Sequence, residues 1–284
     1  MIPGAFAYHR PSDLVSALGI LTEHGDEARV IAGGHSLIPM MKLRMAQIDH
    51  LVDLQDIAEL RGITVAGGQV TVGAMVTQAE LIGHAGLAAA APILREAALQ
   101  IADPQVRYVG TIGGNVANGD PGNDMPGLMQ CLDAVFTLVG PGGTRAVRAR
   151  DFYRSAYETA RHDDEILTRI SFAATTGGYA YEKQKRKIGD YATAAAAVML
   201  TKQNGRVAGA SIAMTNLRDT PAFAESAGDA LVGSVCDSAS VKAAVEDMQK
   251  VIDPGADNRG PVAFKRHAAV AVLTRAILRA WVRA

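Results

Sequence analysis

The sequence predicts an α+β protein, in which two α/β segments are followed by an antiparallel sheet covered by helices. Its 284 residues exceed the usual size of one domain. The chain is 49% hydrophobic and 20% charged, which is typical of a globular protein. Helical and strand-like patterns alternate in the first half, and hairpin signals follow in the second. We therefore predict segments at residues 1–58, 59–176 and 177–284.

The first segment alternates helix and strand. Asp13 can cap a helix whose leucines recur at helical spacing and which ends before Gly25. Short apolar runs at 29–32 and 51–54 predict two strands. A helix between parallel strands is typical of a βαβ unit.

The middle segment combines a hairpin with several helices. Gly67 and Gly68 separate two strand-like runs, and Thr77 with Glu80 fits a capping box that opens a helix. Further helices are predicted at 93–101 and 124–132. Strands are predicted at 63–65, 69–72, 134–139, 145–147 and 165–172.

The last segment contains the clearest hairpin of the chain. Asn204 and Gly205 join two long strand-like runs, and Asn-Gly is a strong short-range hairpin signal. Strands are predicted at 179–185, 194–202 and 206–215, and helices at 222–232, 238–252 and 261–283. This order predicts an antiparallel sheet covered by helices.

Composition excludes several classes of function. The net charge is -1 and no block of like charge occurs, so a nucleic-acid partner is not expected. Cys131 and Cys236 have no CxxC spacing, and no two of the seven histidines have HxxxH spacing, so we expect no metal site. The chain shows no secretory signal and no transmembrane segment, which predicts an intracellular, soluble protein.

Two glycine-containing loops are candidates for binding a phosphate. The first is Ala32-Gly33-Gly34-His35-Ser36, and the second is Thr111-Ile112-Gly113-Gly114-Asn115. Paired glycines allow consecutive N–H groups to converge on an anion, and a nearby hydroxyl can add a hydrogen bond. Each loop alone is also compatible with a tight turn, but two such loops predict two walls around a diphosphate. A side chain at Gly33 or Gly113 is then expected to collide with that diphosphate or to force a strained backbone.

Asp124 has two compatible interpretations. A carboxylate is repelled by a diphosphate, so it suits the hydroxyls of a ribose or ribityl chain; it can equally cap the helix that follows it. The chain has neither a GxGxxG motif after the first strand nor a P-loop, and no nucleophile–base pair is evident. The pattern therefore indicates a bound cofactor that supplies the reactivity.

The two loops and Asp124 together resemble the FAD-binding subunits of the molybdenum hydroxylases. This family includes xanthine dehydrogenase, aldehyde oxidoreductases and aerobic carbon monoxide dehydrogenase, and the resemblance covers essentially the whole chain. The segments 101–105, 119–126 and 187–193 are most similar to the medium subunits of the carbon monoxide enzymes.

The resemblance implies a vanillyl-alcohol-oxidase/PCMH-type fold, in which the segments 1–58 and 59–176 bind one non-covalent FAD and the segment 177–284 closes over the flavin. It also implies a large molybdenum subunit and a small subunit with two [2Fe–2S] clusters, assembled as a dimer of heterotrimers. Electrons would pass through FAD to a quinone or respiratory acceptor, in the cytoplasm or at the inner face of the membrane. No segment matches the family's nicotinamide-binding loop, so NAD is not the expected acceptor.

The resemblance also assigns roles to particular residues. Beyond the two loops and Asp124, it places apolar residues of the adenine and flavin region at Ile101 and Leu167, and a residue against the flavin ring at Tyr191. A family lysine corresponds to Lys183 or Lys185, and no catalytic residue is expected on this chain. The complete set of expected FAD contacts is Ala32, Gly33, Gly34, His35, Ser36, Leu37, Ile101, Thr111, Ile112, Gly113, Gly114, Asn115, Asp124, Leu167, Lys183, Lys185 and Tyr191.

Two other functions stay open at this point. One is the FAD subunit of a hydroxylase for another substrate, such as nicotine, quinoline, an aldehyde or a purine. The other is a nucleotide-binding scaffold that keeps the fold without a flavin. The sequence cannot separate a carbon monoxide dehydrogenase from a hydroxylase for another substrate, because the substrate would be oxidised on a different chain.

Overall fold

The computed structural model describes residues 2–284, and its first sheet is parallel. The elements of this part are β1 (Ala7–His9), α1 (Leu14–His24), β2 (Ala28–Ile31), α2 (Leu37–Lys42) and β3 (His50–Asp53). The strands lie in the order β1-β3-β2. Helix α1 begins as expected, because the Asp13 carboxylate accepts a hydrogen bond from the Ser16 N–H at 2.8 Å.

The middle part is built on an antiparallel sheet of five strands, β4 (Ile63–Ala66), β5 (Gln69–Gly73), β6 (Val135–Gly140), β7 (Gly143–Arg148) and β10 (Ile166–Ala173). Their order is β4-β5-β10-β6-β7, and β8 (Tyr153–Ser155) pairs separately with β9 (Glu158–Thr159). The predicted hairpins are present, and Thr77 and Glu80 form the predicted capping box.

Seven helices, several of them short, accompany this sheet. They are α3 (Gln78–Gly83), α4 (Ala85–Ala90), α5 (Pro92–Ala98), α6 (Pro104–Val109), α7 (Ile112–Ala117), α8 (Asp124–Cys131) and α9 (Ala149–Phe152). The helix predicted at 93–101 ends at Ala98. The second glycine pair lies within α7, where the sequence had indicated a loop.

The last part is an antiparallel sheet of β11 (Gly178–Gln184), β12 (Ala194–Gln203), β13 (Arg206–Thr215) and β14 (Ala222–Phe223), in that order. Three helices follow, α10 (Glu225–Asp229), α11 (Ser238–Val251) and α12 (Val262–Arg283). The predicted turn is present, with φ of 52° at Asn204 and 73° at Gly205. The helix predicted at 222–232 is wrong at its start, because Phe223 pairs with Ala213 in the sheet.

Charged groups at the end of α12 fasten the last sheet to the middle part. The Arg279 guanidinium pairs with Glu182 on β11 and, at 2.9 Å, with Glu96 on α5. Glu96 also accepts hydrogen bonds from the Tyr181 N–H at 2.8 Å and from Arg283 at 2.8 Å. These contacts hold β11 against α5, and so fix the position of the strand that carries Lys183.

The sheets change between β3 and β4 and again between β10 and β11, near the predicted segment boundaries at 58 and 176, which stay predictions. Among residues 2–284, no helix is both long enough and apolar enough to cross a bilayer.

Candidate functional site

A cavity of 1190 Å³ lies where residues from the three predicted segments meet. One wall is formed by β2 and the loop after it, a second by the residues around Thr111, and a third by Lys183 and the stretch 189–191. The cavity is larger than the roughly 300–1,000 Å³ of an ordinary small-molecule pocket. It therefore suits an extended ligand.

The loop after β2 presents unused backbone donors at the cavity wall. Among residues 2–284, the N–H groups of Gly33, Gly34, His35 and Ser36 have no hydrogen-bond partner. Gly34 has a φ of 70°, a conformation that glycine adopts without strain. Consecutive free N–H groups at a concave wall are donors for an anion such as a phosphate. The first loop thus has the groups that the sequence analysis expected of it.

The second glycine loop is not an anion nest, contrary to expectation. Thr111 is the N-cap of α7, and its hydroxyl accepts a hydrogen bond from the Gly114 N–H at 3.1 Å. The neighbouring N–H groups of Ile112, Gly113 and Asn115 donate to backbone carbonyls within 3.1 Å. Because these donors are already used, only the N–H of Thr111 has no partner among residues 2–284, and the loop lacks the consecutive free donors of a nest. Thr111, Gly114 and Asn115 nevertheless line the cavity.

Gly33 and Gly113 both face neighbouring protein, so a Cβ there would meet protein atoms, and of the two expected consequences the structure favours backbone strain over a collision with the diphosphate. A Cβ on Gly33 would overlap the Val109 carbonyl oxygen and lie 2.7 Å from the Gly110 Cα. A Cβ on Gly113 would lie 2.5 Å from the Ala74 Cβ and 2.6 Å from its carbonyl oxygen. These glycines therefore allow neighbouring backbone segments to pack closely.

A buried polar cluster closes one end of the cavity. Asp124 Oδ1 accepts a hydrogen bond from the Tyr181 hydroxyl at 2.5 Å, and Oδ2 lies 2.8 Å from the Lys183 Nζ. The side chains of Asp124 and Lys183 are 6% and 1% exposed. Burial raises the pKa of the Asp124 carboxyl, and the Lys183 ammonium opposes that rise. Burial also raises the pKa of Tyr181, which keeps its hydroxyl a donor.

Asp124 is thus the first residue of α8 rather than its N-cap, which is Asn123. Both of its carboxylate oxygens are engaged, yet each has a second lone pair, and the residue lines the cavity. An additional hydrogen bond from a ligand hydroxyl is therefore compatible with the arrangement.

The structure distinguishes the two candidate lysines. Lys183 lines the cavity, whereas the Lys185 ammonium lies 3.1 Å from the Gln100 side-chain oxygen and is not part of the wall. Burial lowers the pKa of Lys185, and Lys183 adds to this effect. Lys183 is therefore the better candidate for a ligand contact.

Gln78 is a candidate that the sequence did not reveal. Its side chain is buried, lines the cavity, and has neither the amide nitrogen nor the oxygen in a hydrogen bond with residues 2–284. An unsatisfied buried amide costs about 1–3 kcal/mol, so native proteins seldom leave one without a partner. A ligand in this cavity would supply the missing partners. In the sequence, Gln78 lies between Thr77 and Glu80, the two residues of the capping box of α3, and nothing there indicated a ligand contact.

Tyr191 lies at the cavity and is 40% exposed. The Arg259 guanidinium carbon lies 5.3 Å from the centroid of its ring. Burial, followed by the charge of Asp120, raises the pKa of the Tyr191 hydroxyl. The ring is neutral and free to stack on a flat ligand group.

Most of the expected contact residues reach the cavity, and four do not. Those at the wall are Ala32, Gly33, Gly34, His35, Ser36, Leu37, Ile101, Thr111, Gly114, Asn115, Asp124, Lys183 and Tyr191. Ile112 and Leu167 are buried in the hydrophobic core, and Leu167 pairs with Leu138 between β10 and β6. Gly113 packs on Ala74, and Lys185 turns to Gln100. These four are not part of the cavity wall.

Comparison with known proteins gives matches over the whole chain. A family model described as the FAD binding domain in molybdopterin dehydrogenase matches residues 4–175, and one described as the CO dehydrogenase flavoprotein C-terminal domain matches residues 179–280. The chain is 55% identical to the carbon monoxide dehydrogenase medium chain of Afipia carboxidovorans, covering 100% of this chain and 99% of that protein.

Solved structures agree with these matches. A chain of reconstituted CO dehydrogenase from Oligotropha carboxidovorans superposes with a TM-score of 0.99 at 54% identity, and both chains are fully covered. A chain of quinoline 2-oxidoreductase from Pseudomonas putida 86 superposes with a TM-score of 0.95 at 34% identity, covering 99% of this chain and 98% of that one.

Proposed function

We propose that this chain, which belongs to the family of FAD-binding domains in molybdopterin dehydrogenases, is the FAD-carrying medium subunit of an aerobic carbon monoxide dehydrogenase. The observation that carries the proposal is the 55% identity over the full length of a carbon monoxide dehydrogenase medium chain. The complete enzyme would convert CO and H2O to CO2, two electrons and two protons. The oxidation itself would take place on a partner chain.

The residues at the cavity fit an FAD. The free N–H groups of Gly33 to Ser36 would hold the diphosphate, and the unsatisfied Gln78 amide would bind a polar group beside it. Asp124 would accept a hydrogen bond from a ribose or ribityl hydroxyl, and Lys183 would hold Asp124 in place. When bound, FAD supplies redox chemistry between iron–sulfur clusters and an external acceptor.

The partners would be a large molybdenum subunit and a small iron–sulfur subunit. The proposed docking face for the small subunit lies around Lys42, Arg44 and the stretch 101–108, where polar and apolar residues are mixed. In its support, Met45 and Tyr108 are 71% and 72% exposed. Exposed apolar side chains of this size occur at surfaces that a partner covers.

The acceptor and the final assembly belong to the same proposal. A quinone or another respiratory component would take the electrons from FAD, and two heterotrimers would form the complete enzyme. The complex would work in the cytoplasm, at the inner face of the membrane where such an acceptor is available.

Expression of the chain with the genes for its two partner subunits tests this function. The purified complex is expected to show flavin absorption, to release FAD on acid precipitation, and to reduce a dye when CO is the only reductant. A flavin-containing complex that oxidises quinoline but not CO would show a different hydroxylase. A complex without flavin would favour a scaffold and contradict the proposal.

Tyr191→Ala is expected to weaken FAD binding about two- to tenfold, because ring stacking contributes roughly 0.5–1.5 kcal/mol beyond burial. Because Tyr191 is 40% exposed, its removal is also expected to change the rate at which an acceptor reoxidises the flavin. Equilibrium dialysis of FAD, the flavin absorption spectrum and the rate of flavin reoxidation would measure these effects.

Tyr191→Phe is the matched control, since it keeps the ring and removes the hydroxyl. It should resemble the wild type in FAD affinity and in the flavin spectrum. If Tyr191→Ala also matches the wild type in affinity, spectrum and reoxidation, Tyr191 is a packing residue and does not contact the flavin.

A further inference from the structure

Three histidines from distant parts of the sequence meet at one edge of the first sheet. His9 ends β1, His24 is the last residue of α1, and His50 begins β3. His9 Nε2 lies 3.0 Å from His50 Nδ1, and the rings of His24 and His50 stack with their centroids 3.6 Å apart. One nitrogen from each ring lies within 4.8 Å of the others.

This spacing is close to what a metal ion requires. Neutral imidazole is the commonest protein ligand of transition metals. Zinc–nitrogen bonds of 2.0–2.1 Å in a tetrahedral site place neighbouring ligand nitrogens about 3.3 Å apart. The His9–His50 pair already has this separation, and all three side chains are half-buried at the surface. The His24 ring, which lies 13° from parallel to that of His50, would have to turn out of this stack to direct a nitrogen lone pair at the same ion.

Hydrogen bonding alone accounts for only part of the cluster. A neutral imidazole has one donor nitrogen and one acceptor nitrogen. The His9–His50 contact uses one nitrogen of each ring, whereas the His24 nitrogens have no hydrogen-bond partner among residues 2–284. Three imidazoles that converge while one of them is unpaired are a better fit to a shared ion than to a hydrogen-bonded network.

We propose that His9, His24 and His50 bind one divalent transition-metal ion of the Zn²⁺ class, with one nitrogen from each imidazole and a water in the fourth position. The three residues lie outside the wall of the cavity, so the ion takes no part in flavin chemistry. It connects β1 to α1 and β3. Since β1 has three residues and pairs only with β3 among residues 2–284, the ion stabilises the edge of the first sheet.

No metal site was expected from the sequence because no two histidines have HxxxH spacing, but that absence does not exclude a site of this kind. That spacing describes two ligands on one helix. Here the parallel pairing of β1 with β3 brings His9 and His50 together, and the end of α1 adds His24. The ligands come from three elements, so no local pattern in the sequence reports them.

The test is a titration of the full-length chain, without an affinity tag, with ZnSO4 in a calorimeter. We expect one equivalent of Zn²⁺ to bind, and His9→Gln and His24→Gln each to weaken that binding at least tenfold. His267→Gln is the matched control, since His267 is an exposed histidine on α12, and it should bind Zn²⁺ as the wild type does.

A second measurement keeps the test decisive if a variant fails to fold. Co²⁺ bound to the wild-type chain should give the strong visible absorption of a four-coordinate ion, and Zn²⁺ should displace it. Excess EDTA should remove the metal and abolish this absorption. Uptake of less than half an equivalent of Zn²⁺, or equal affinity in the wild type and both cluster variants, would overturn the proposal.

Discussion

Gly33→Ala is expected to lower the free energy of unfolding by about 1–3 kcal/mol or more, the usual range for overpacking. The new Cβ would overlap the Val109 carbonyl oxygen and approach the Gly110 Cα to 2.7 Å. Both are backbone atoms, so no side-chain rotation can relieve the contact. Gly113→Ala should behave in the same way against Ala74. Urea unfolding followed by circular dichroism would measure both variants.

Gly19→Ala is the matched control for these two variants. Gly19 lies within α1, and nothing lies within 4 Å of the position that its Cβ would occupy. Replacement of an exposed helical glycine by alanine stabilises by roughly 0.5–1 kcal/mol. A Gly33→Ala chain that is as stable as the wild type but contains no FAD would contradict the packing argument and restore the original view of the loop as room for a diphosphate.

Local signals in the sequence were sufficient for most of the secondary structure. Asn204-Gly205 predicted its hairpin because both residues readily adopt positive φ, and the Thr77–Glu80 capping box predicted the start of α3. These features depend on neighbours in the chain. They could therefore be predicted without any knowledge of the tertiary structure.

Two of the errors in the predicted secondary structure depend on distant contacts. Gly113 and Gly114 are poor helix formers, yet they lie in α7 because Gly113 must pack on Ala74. Similarly, Phe223 was assigned to a helix because its partner in the sheet, Ala213, is ten residues away. A local signal was available for α6, since Asp103 caps it and Pro104 occupies its first position.

In the candidate site, too, some residues could be assigned from the sequence and others only from contacts between distant elements. Tyr181 and Lys183 lie two positions apart on β11 and so share one face of the sheet, whereas Lys185 follows directly after the end of the strand; in the sequence all three are spaced by two, so the spacing cannot separate the two lysines. The position of α8 distinguishes the two lysines. Asp124, on α8, contacts Tyr181 and Lys183, whereas Lys185 contacts Gln100. Gln78 was missed because its buried, unpaired amide is visible only in three dimensions.

Asp124→Ala should lower the free energy of unfolding by about 3–5 kcal/mol, the usual effect of leaving one partner of a buried ion pair alone. The Lys183 side chain is 1% exposed, so its ammonium would lose its counter-ion and keep only the Gln100 carbonyl at 3.3 Å, and the Tyr181 hydroxyl would lose its acceptor. We also expect the purified complex to contain less FAD, since Asp124 lines the cavity. Chemical denaturation and FAD content would measure the two effects separately.

A second substitution separates the charge from the packing. In the double variant Asp124→Ala with Lys183→Met no buried ammonium is left unpaired, so it should be more stable than Asp124→Ala alone while still binding FAD poorly. Asp247→Ala is the control, because Asp247 pairs at 2.6 Å with Lys250, whose side chain is 74% exposed, and surface pairs contribute at most about 1 kcal/mol. If Asp124→Ala is no more destabilising than Asp247→Ala, the buried pair does not stabilise the fold. If the double variant binds FAD like the wild type, the flavin needs neither side chain, because the free N–H groups of the first loop and the rest of the cavity wall suffice to hold it.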